Sequence, residues 1–273
     1  DRRGEYKGNI GLRKAISKRL RSLGLNETRT YTLISPEMDK LFAYDRKESI
    51  KLLKPMSLDK SILRQTLIPS LLNVANYNFA RNTKDVAIYE IANTYYDVDK
   101  EETKIGILMC GSYITNTWKN EIMKSDFYIL KGIICNLLDY LGYTGRYTFV
   151  SDKTVPDMHP GATALINVDN RTIGYIGKVH PNITKKEIYV AEISMNALAE
   201  KKTRSYKYRE LNIYPFITKD VAFVMPNSME SATVEKEIKR SAGKLLTDIK
   251  VFDLYRGQNV GGDKKSIAYS LIF

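Results

Sequence analysis

Histidine, the side chain that titrates nearest neutrality, occurs only twice in the 273 residues, so imidazole acid–base chemistry would have to use His159 or His180. Each precedes a proline (Pro160, Pro181), and a residue before proline is pushed away from the helical region, which assigns both to extended turns. No carboxylate pairs stand at ligand spacing around them, so a structural turn is favoured over a metal site or a general base. A stand-alone enzyme built on His159, His180 and Glu90 is the alternative this leaves. The segment Gly257-Gln-Asn-Val-Gly-Gly262-Asp263-Lys264 approximates a phosphate loop, but Asp follows its last glycine where Lys is needed. It also lies between two predicted strands, with no helix N-terminus to meet a phosphate.

One run has more chemical content: Phe252-Asp253-Leu254-Tyr255. On a strand, Phe252 and Leu254 would share one face and enter the core, while Asp253 and Tyr255 would face outward. Arg256, Lys264 and Lys265 are expected beside them as phosphate contacts. An exposed tyrosine is a stacking platform worth about 1–3 kcal/mol per nucleobase. A carboxylate beside it accepts hydrogen bonds from base N–H groups, of which guanine offers two on its Watson–Crick edge. An ordinary surface Tyr and Asp on a sheet is the competing reading.

The elements that must position these groups follow from periodicity. Leu12, Ala15, Ile16, Leu20 and Leu23 recur at three- and four-residue steps and predict a helix over 9–23, with Arg13, Lys14, Lys18 and Arg21 opposite. Arg19 falls on the apolar side and must snorkel or find an acidic partner. Further helices are predicted from Pro69 to about Arg81 and over 126–141. Strands are predicted at 28–34, 50–54, 85–96, 104–110, 147–150, 164–168, 172–179 and 188–195, with Asp169-Asn170 as a two-residue turn. Hairpin-linked strands with helices packed on one side argue for an antiparallel-sheet α+β domain. A polar stretch near 200–215 marks a boundary. Beyond it, strand 220–225, helix 231–243 and strands 249–255 and 264–273 make a β-α-β-β order, the first two-thirds of a ferredoxin-like unit. The chain is expected to be a fragment, its second domain partial.

Composition excludes several classes. Charged residues at 27% and aromatics at 10% are ordinary globular values. No run approaches 18 apolar residues, so no membrane span is predicted, and the basic opening lacks the apolar centre of a signal peptide. Cys110 and Cys135 are too few for a zinc site or a disulfide framework, and a reducing, intracellular compartment is expected. The formal net charge is +12, and residues 1–30 hold nine basic side chains against three acidic ones. Such a patch attracts polyanions, nucleic acid above all, although a charged helix face can equally be plain solvated surface or a docking face.

Several motifs in one order resemble a known family. They are Leu53-Lys54-Pro55-Met56-Ser57, then Ser61-Ile-Leu-Arg64 running to Pro69-Ser70-Leu71-Leu72, then Ile88-Tyr89-Glu90-Ile91. His159-Pro160-Gly161, Gly174-Tyr-Ile-Gly177-Lys-Val-His180-Pro181, Ala191-Glu192-Ile193, Tyr214-Pro215, Lys219-Asp220-Val221-Ala222 and Phe252-Asp-Leu-Tyr255 follow. Together they resemble the C-terminal part of the bacterial phenylalanyl-tRNA synthetase β subunit. The resemblance implies a class II synthetase-like antiparallel sheet with helices over 1–205, without a working active site. It also implies a truncated ferredoxin-fold anticodon-binding domain over 206–273. It further implies a partner α subunit in an (αβ)2 heterotetramer, tRNA(Phe) as ligand, a cytoplasmic location, and ATP and Mg for the whole enzyme but no cofactor in this chain. The implied anticodon contacts fall on Asp253 and Tyr255. Pro55, Met56, Ser57, Arg64, Glu90, His159 and His180 become structural or interface residues. The predicted strand 85–96 carries no Arg or Lys to hold an ATP phosphate, which agrees with absent catalysis. An assembly scaffold touching RNA only non-specifically is the remaining alternative.

Overall fold

The computed structural model describes residues 4, 6–42, 44–201, 208 and 213–273. Two compact units divide the chain, Asp1–Tyr206 and Lys207–Phe273. The boundary expected at 205/206, and Arg2 and Arg3 of the basic opening, lie outside the described residues.

The larger unit opens with helix α1 (Ile10–Ser22), the short strands β1 (Asn26–Glu27) and β2 (Leu33–Ile34), the single turn α2 (Pro36–Asp39) and β3 (Ile62–Leu63). Helix α3 (Ile68–Phe79), β4 (Val86–Asp97), β5 (Lys100–Cys110), β6 (Ser112–Asn116) and β7 (Glu121–Lys124) follow. Helix α4 (Phe127–Tyr140), β8 (Tyr147–Ser151), β9 (Met158–Val168), β10 (Arg171–Val179), β11 (Ile188–Ser194) and α5 (Met195–Ala199) complete it. Seven strands form one sheet in the order β1-β4-β5-β11-β10-β9-β8, antiparallel throughout except for β1 against β4.

Helices cover both faces of this sheet, which corrects the one-sided packing expected from the sequence. In β11, Tyr189, Ala191 and Ile193 point to one face and Ile188 and Val190 to the other, and all are buried. A strand apolar on both sides must be covered on both sides. Ile16 and Leu20 of α1, the buried stripe of α4 and Leu198 of α5 fill the first face; Ile68, Leu71, Leu72 and Ala75 of α3 fill the second. Gly106 on β5 makes the second contact close: a Cβ there would stand 2.9 Å from both Leu67 Cβ and Leu71 Cδ1.

Local signals set the ends of elements. The Asp126 carboxylate accepts the Ile129 N–H at 2.7 Å and starts α4. Asp169 and Asn170 take φ values of 49° and 61°, the left-handed pair that a two-residue hairpin turn requires. Arg19, half-buried, takes an amide and a ring as partners: its Nε donates to Asn136 Oδ1 at 2.6 Å and its guanidinium lies 5.2 Å from the Tyr140 ring. Two predicted strands are corrected. The stretch 28–34 supplies only β2, because the chain leaves the sheet after β1 to pair with β3, and 50–54 contributes one bridge, Lys51 to Ile62. The β6–β7 hairpin had no apolar alternation to announce it.

The smaller unit runs β12 (Thr218–Pro226), α6 (Ser231–Ala242), β13 (Asp248–Tyr255) and β14 (Lys264–Ile272). The sheet order is β12-β14-β13, with β14 antiparallel to both neighbours. Its core is Met225, Ile267 and Tyr269, with Val234 and Ile238 of α6 packed against them. Among the described residues, no helix is long and apolar enough to cross a membrane.

Candidate nucleic-acid interface

The alternation of β14 decides which face of the small sheet is free. Lys265, Ile267 and Tyr269 are buried, and the Tyr269 hydroxyl meets Ser231 Oγ of α6 at 3.1 Å, so these residues mark the helix-covered side. Ser266, Ala268 and Ser270 point the other way. Cross-strand partners share a face. The open face therefore carries the rows Val224–Ser266–Tyr255, Ala222–Ala268–Asp253 and Asp220–Ser270–Lys250. Tyr255 and Asp253 stand in adjacent rows on the same side, both exposed, beside a floor of small residues over which a flat ring can lie.

Three expectations need correction. Phe252 and Leu254 do not enter the core: they are 58% and 52% exposed. The register slips between Val251 and Asp253, leaving Phe252 unpaired, and the 12-residue α6 is too narrow to cover the edge strand as well. Lys265 is not a phosphate contact, since it is buried and its Nζ donates to the Asn227 carbonyl at 3.1 Å. Arg256 and Lys264 are exposed.

Sequence reasoning met Gly257 only as part of an imperfect phosphate loop, and overlooked both its place beneath Tyr255 and the Ser-x-Ala-x-Ser alternation of β14. A Cβ at Gly257 would overlap the Tyr255 hydroxyl, so the ring leans back over this glycine and its absent side chain fixes where the platform sits. The alternation was visible as Ser266, Ala268 and Ser270 among Ile267, Tyr269 and Leu271.

In the larger unit the other candidates are dispersed. Arg64 and Glu90 form a buried ion pair, Nη2 to Oε1 3.1 Å. The Thr30 N–H and hydroxyl also donate to the Glu90 carboxylate, at 3.0 and 2.7 Å, and Arg64 Nε donates to the Asn93 carbonyl. His159 and His180 lie near each other, ring centroids 6.3 Å apart. His159 sits within β9, not in a turn, and each Nδ1 accepts a backbone N–H from two residues on. Glu90 aligns through Gly106 and Glu192 with Tyr175, three strand spacings away, and His180 is five residues further along, a separation of roughly 20 Å. The three are not one site. Pro55, Met56 and Ser57 lie on a surface loop, with Met56 fully exposed.

A cavity of about 460 Å³ opens on the sheet beside Tyr44, Tyr96, Lys104, Tyr175 and Glu192. Its buried charges, Lys104 and Glu192, are spent on structure. Glu192 accepts from Lys104 Nζ at 3.0 Å, from the Thr66 hydroxyl at 2.8 Å and from the Leu67 N–H at 2.7 Å, pinning the start of α3 to the sheet. Burial works against the Lys104 charge, yet the Glu192 carboxylate and the Tyr96 hydroxyl outweigh it and hold its pKa above the usual lysine value. Strand β4 carries no Arg or Lys, and the nearby guanidinium of Arg64 is committed to Glu90, so the residues present do not fit an ATP phosphate grip. Among the described residues, no group of three or more His, Cys, Asp or Glu is arranged to hold a metal ion.

Comparison with known proteins gives a consistent answer for both units. Residues 2–195 match the family model described as the phenylalanyl tRNA synthetase beta chain CLM domain, and residues 212–273 match the ferredoxin-fold anticodon binding domain. The phenylalanine–tRNA ligase beta subunits of Geobacillus kaustophilus (strain HTA426) and Bacillus subtilis (strain 168) are each 34% identical over 268 residues, 95% of this chain. The chain spans 33% of the length of these curated relatives. Among solved structures, the pyrrolysyl-tRNA synthetase of Desulfitobacterium hafniense superposes with a TM-score of 0.51 at 16% identity, covering 69% of this chain and 67% of its own. That likeness is one of fold, the antiparallel sheet of class II synthetases.

Proposed function

The chain belongs to the phenylalanine–tRNA ligase β-subunit family, and from that premise we propose that its two units divide scaffolding from RNA recognition. The larger unit is a class II-like body without catalysis of its own, which supports a catalytic α subunit within an (αβ)2 heterotetramer. The smaller unit contributes to binding the anticodon of tRNA(Phe). ATP and Mg belong to the partner's active site, and the working compartment is the cytoplasm. One observation carries the RNA reading: Tyr255 and Asp253 stand side by side on the open face of the small sheet, across a floor of Ser266 and Ala268. A base stacked on Tyr255 places its donor edge toward the Asp253 carboxylate, while Arg256 and Lys264 are free to meet phosphates.

The test is Tyr255→Ala in the whole enzyme. Loss of one stacking contact predicts about tenfold weaker tRNA binding with unchanged phenylalanine-dependent pyrophosphate exchange. Unchanged aminoacylation efficiency at limiting tRNA would refute the role. The scaffold with incidental RNA contact is favoured only by the exposed Lys14, Lys18 and Arg21 of α1. It predicts steep salt dependence without preference for the anticodon sequence.

A further inference from the structure

We propose that residues 51–60 form a pre-ordered knob that seats in an apolar, carboxylate-rimmed socket on the catalytic partner subunit; the identity of that partner rests on the function proposed above. Leu53 and Met56 are as exposed as in an extended chain, Leu58 is nearly so, and Tyr31 stands exposed in the larger unit as well. Isolated surface leucines are ordinary, but several large apolar side chains on one short loop mark a surface that expects a covering.

The loop holds its shape through its own hydrogen bonds. Leu52 N–H donates to the Ser61 carbonyl at 2.9 Å and Leu63 N–H to the Ile50 carbonyl at 3.0 Å, with the Lys51–Ile62 bridge between them, closing a two-stranded stem. At the tip, Lys60 N–H donates to the Ser57 carbonyl at 3.2 Å, Ser61 Oγ to the Leu58 carbonyl at 2.9 Å, and the Ser57 hydroxyl to Asp59. Binding then need not order the loop, which is what makes a small apolar tip effective as an anchor.

Charge names the kind of occupant. Lys51, Lys54 and Lys60 interrupt the apolar residues against a single acid, Asp59, and the Lys60 ammonium lies 4.1 Å from the Tyr31 ring. A cavity of about 280 Å³ at the base is lined by Lys40, Lys51 and the Arg46–Asp39 ion pair. An apolar centre of leucine and methionine inside a polar rim matches the core-and-rim division of an interface between chains, and complementary carboxylates on the partner would pair with the rim lysines and fix its register. A second copy of this chain, itself at +12, would bring like charge to the same place.

The experiment uses full-length β subunit and α subunit. Leu53→Asp combined with Met56→Asp is expected to weaken α–β association at least about 30-fold in sedimentation, with the thermal midpoint of β alone unchanged and Met56→Leu behaving as wild type. Unchanged association of the double variant, while the wild type associates and Tyr255→Ala still weakens tRNA binding, overturns the knob and leaves the proposed function standing. A lowered midpoint for β alone overturns it too, by showing that the rest of β covers the loop. Loss of tRNA binding with association intact would assign the loop to RNA instead. Failure of wild-type β to associate with α would remove the function proposed above, and this inference with it.

Discussion

Arg64 and Glu90 sit at 0% and 2% exposure, and their pairing shows why residues that look chemical can be committed to structure. Removing two charges from water costs several kcal/mol, which is recovered only when each remaining lone pair and proton is used. Here Thr30 donates twice to Glu90, and Arg64 reaches Thr30 and the Asn93 carbonyl. Glu90→Gln strands a buried guanidinium and is expected to destabilise the larger unit by about 3–5 kcal/mol in urea unfolding. Arg64→Met combined with Glu90→Leu is expected to lose much less, because no charge is then left unpaired; equal losses in the two variants would contradict this account. The same logic applies to Lys104 and Glu192 on neighbouring strands, where the Glu192 carboxylate also accepts from Thr66 and Leu67 and so holds the start of α3 to the sheet.

Helix α4 carries the apolar stripe Leu130, Ile133, Ile134, Leu137 and Leu138, and its position depends on where it starts. Asp126 satisfies one of the otherwise orphaned N–H groups, so Asp126→Ala should cost about 1 kcal/mol in chemical unfolding, and Asp126→Asn, which keeps the acceptor, a few tenths. Strand β14 contributes through alternation. Its inward residues bind it to α6, and its outward Ser266, Ala268 and Ser270 leave room for a ligand. Replacing Ala268 by Leu raises that floor beside Asp253, and is expected to weaken RNA binding without lowering the unfolding midpoint by more than about 1 kcal/mol equivalent. A large loss of stability in Ala268→Leu would place Ala268 in the core and reverse the assignment of faces.

At the scale of the whole molecule, a net charge of +12 predicts salt-dependent RNA association, but not every lysine contributes to it. Arg256→Gln and Lys264→Gln should each reduce the log K against log salt slope by about one. Lys265→Gln should leave the slope alone and lower stability, since that ammonium is bound to the Asn227 carbonyl; the reverse result would restore it as a phosphate contact. By itself the sequence determined the antiparallel α+β class, the positions of α1, α3, α4 and α6, the Asp169-Asn170 turn and the outward pairing of Asp253 with Tyr255. Each of these rests on local periodicity or on one residue's backbone preference, which neighbours in sequence settle. Tertiary structure alone decided that both faces of the large sheet are covered, that β13 slips at Phe252, and that Gly257 yields its space to Tyr255. Those outcomes depend on which strand lies alongside which and on how far one helix can reach, distances that no pattern along the chain encodes.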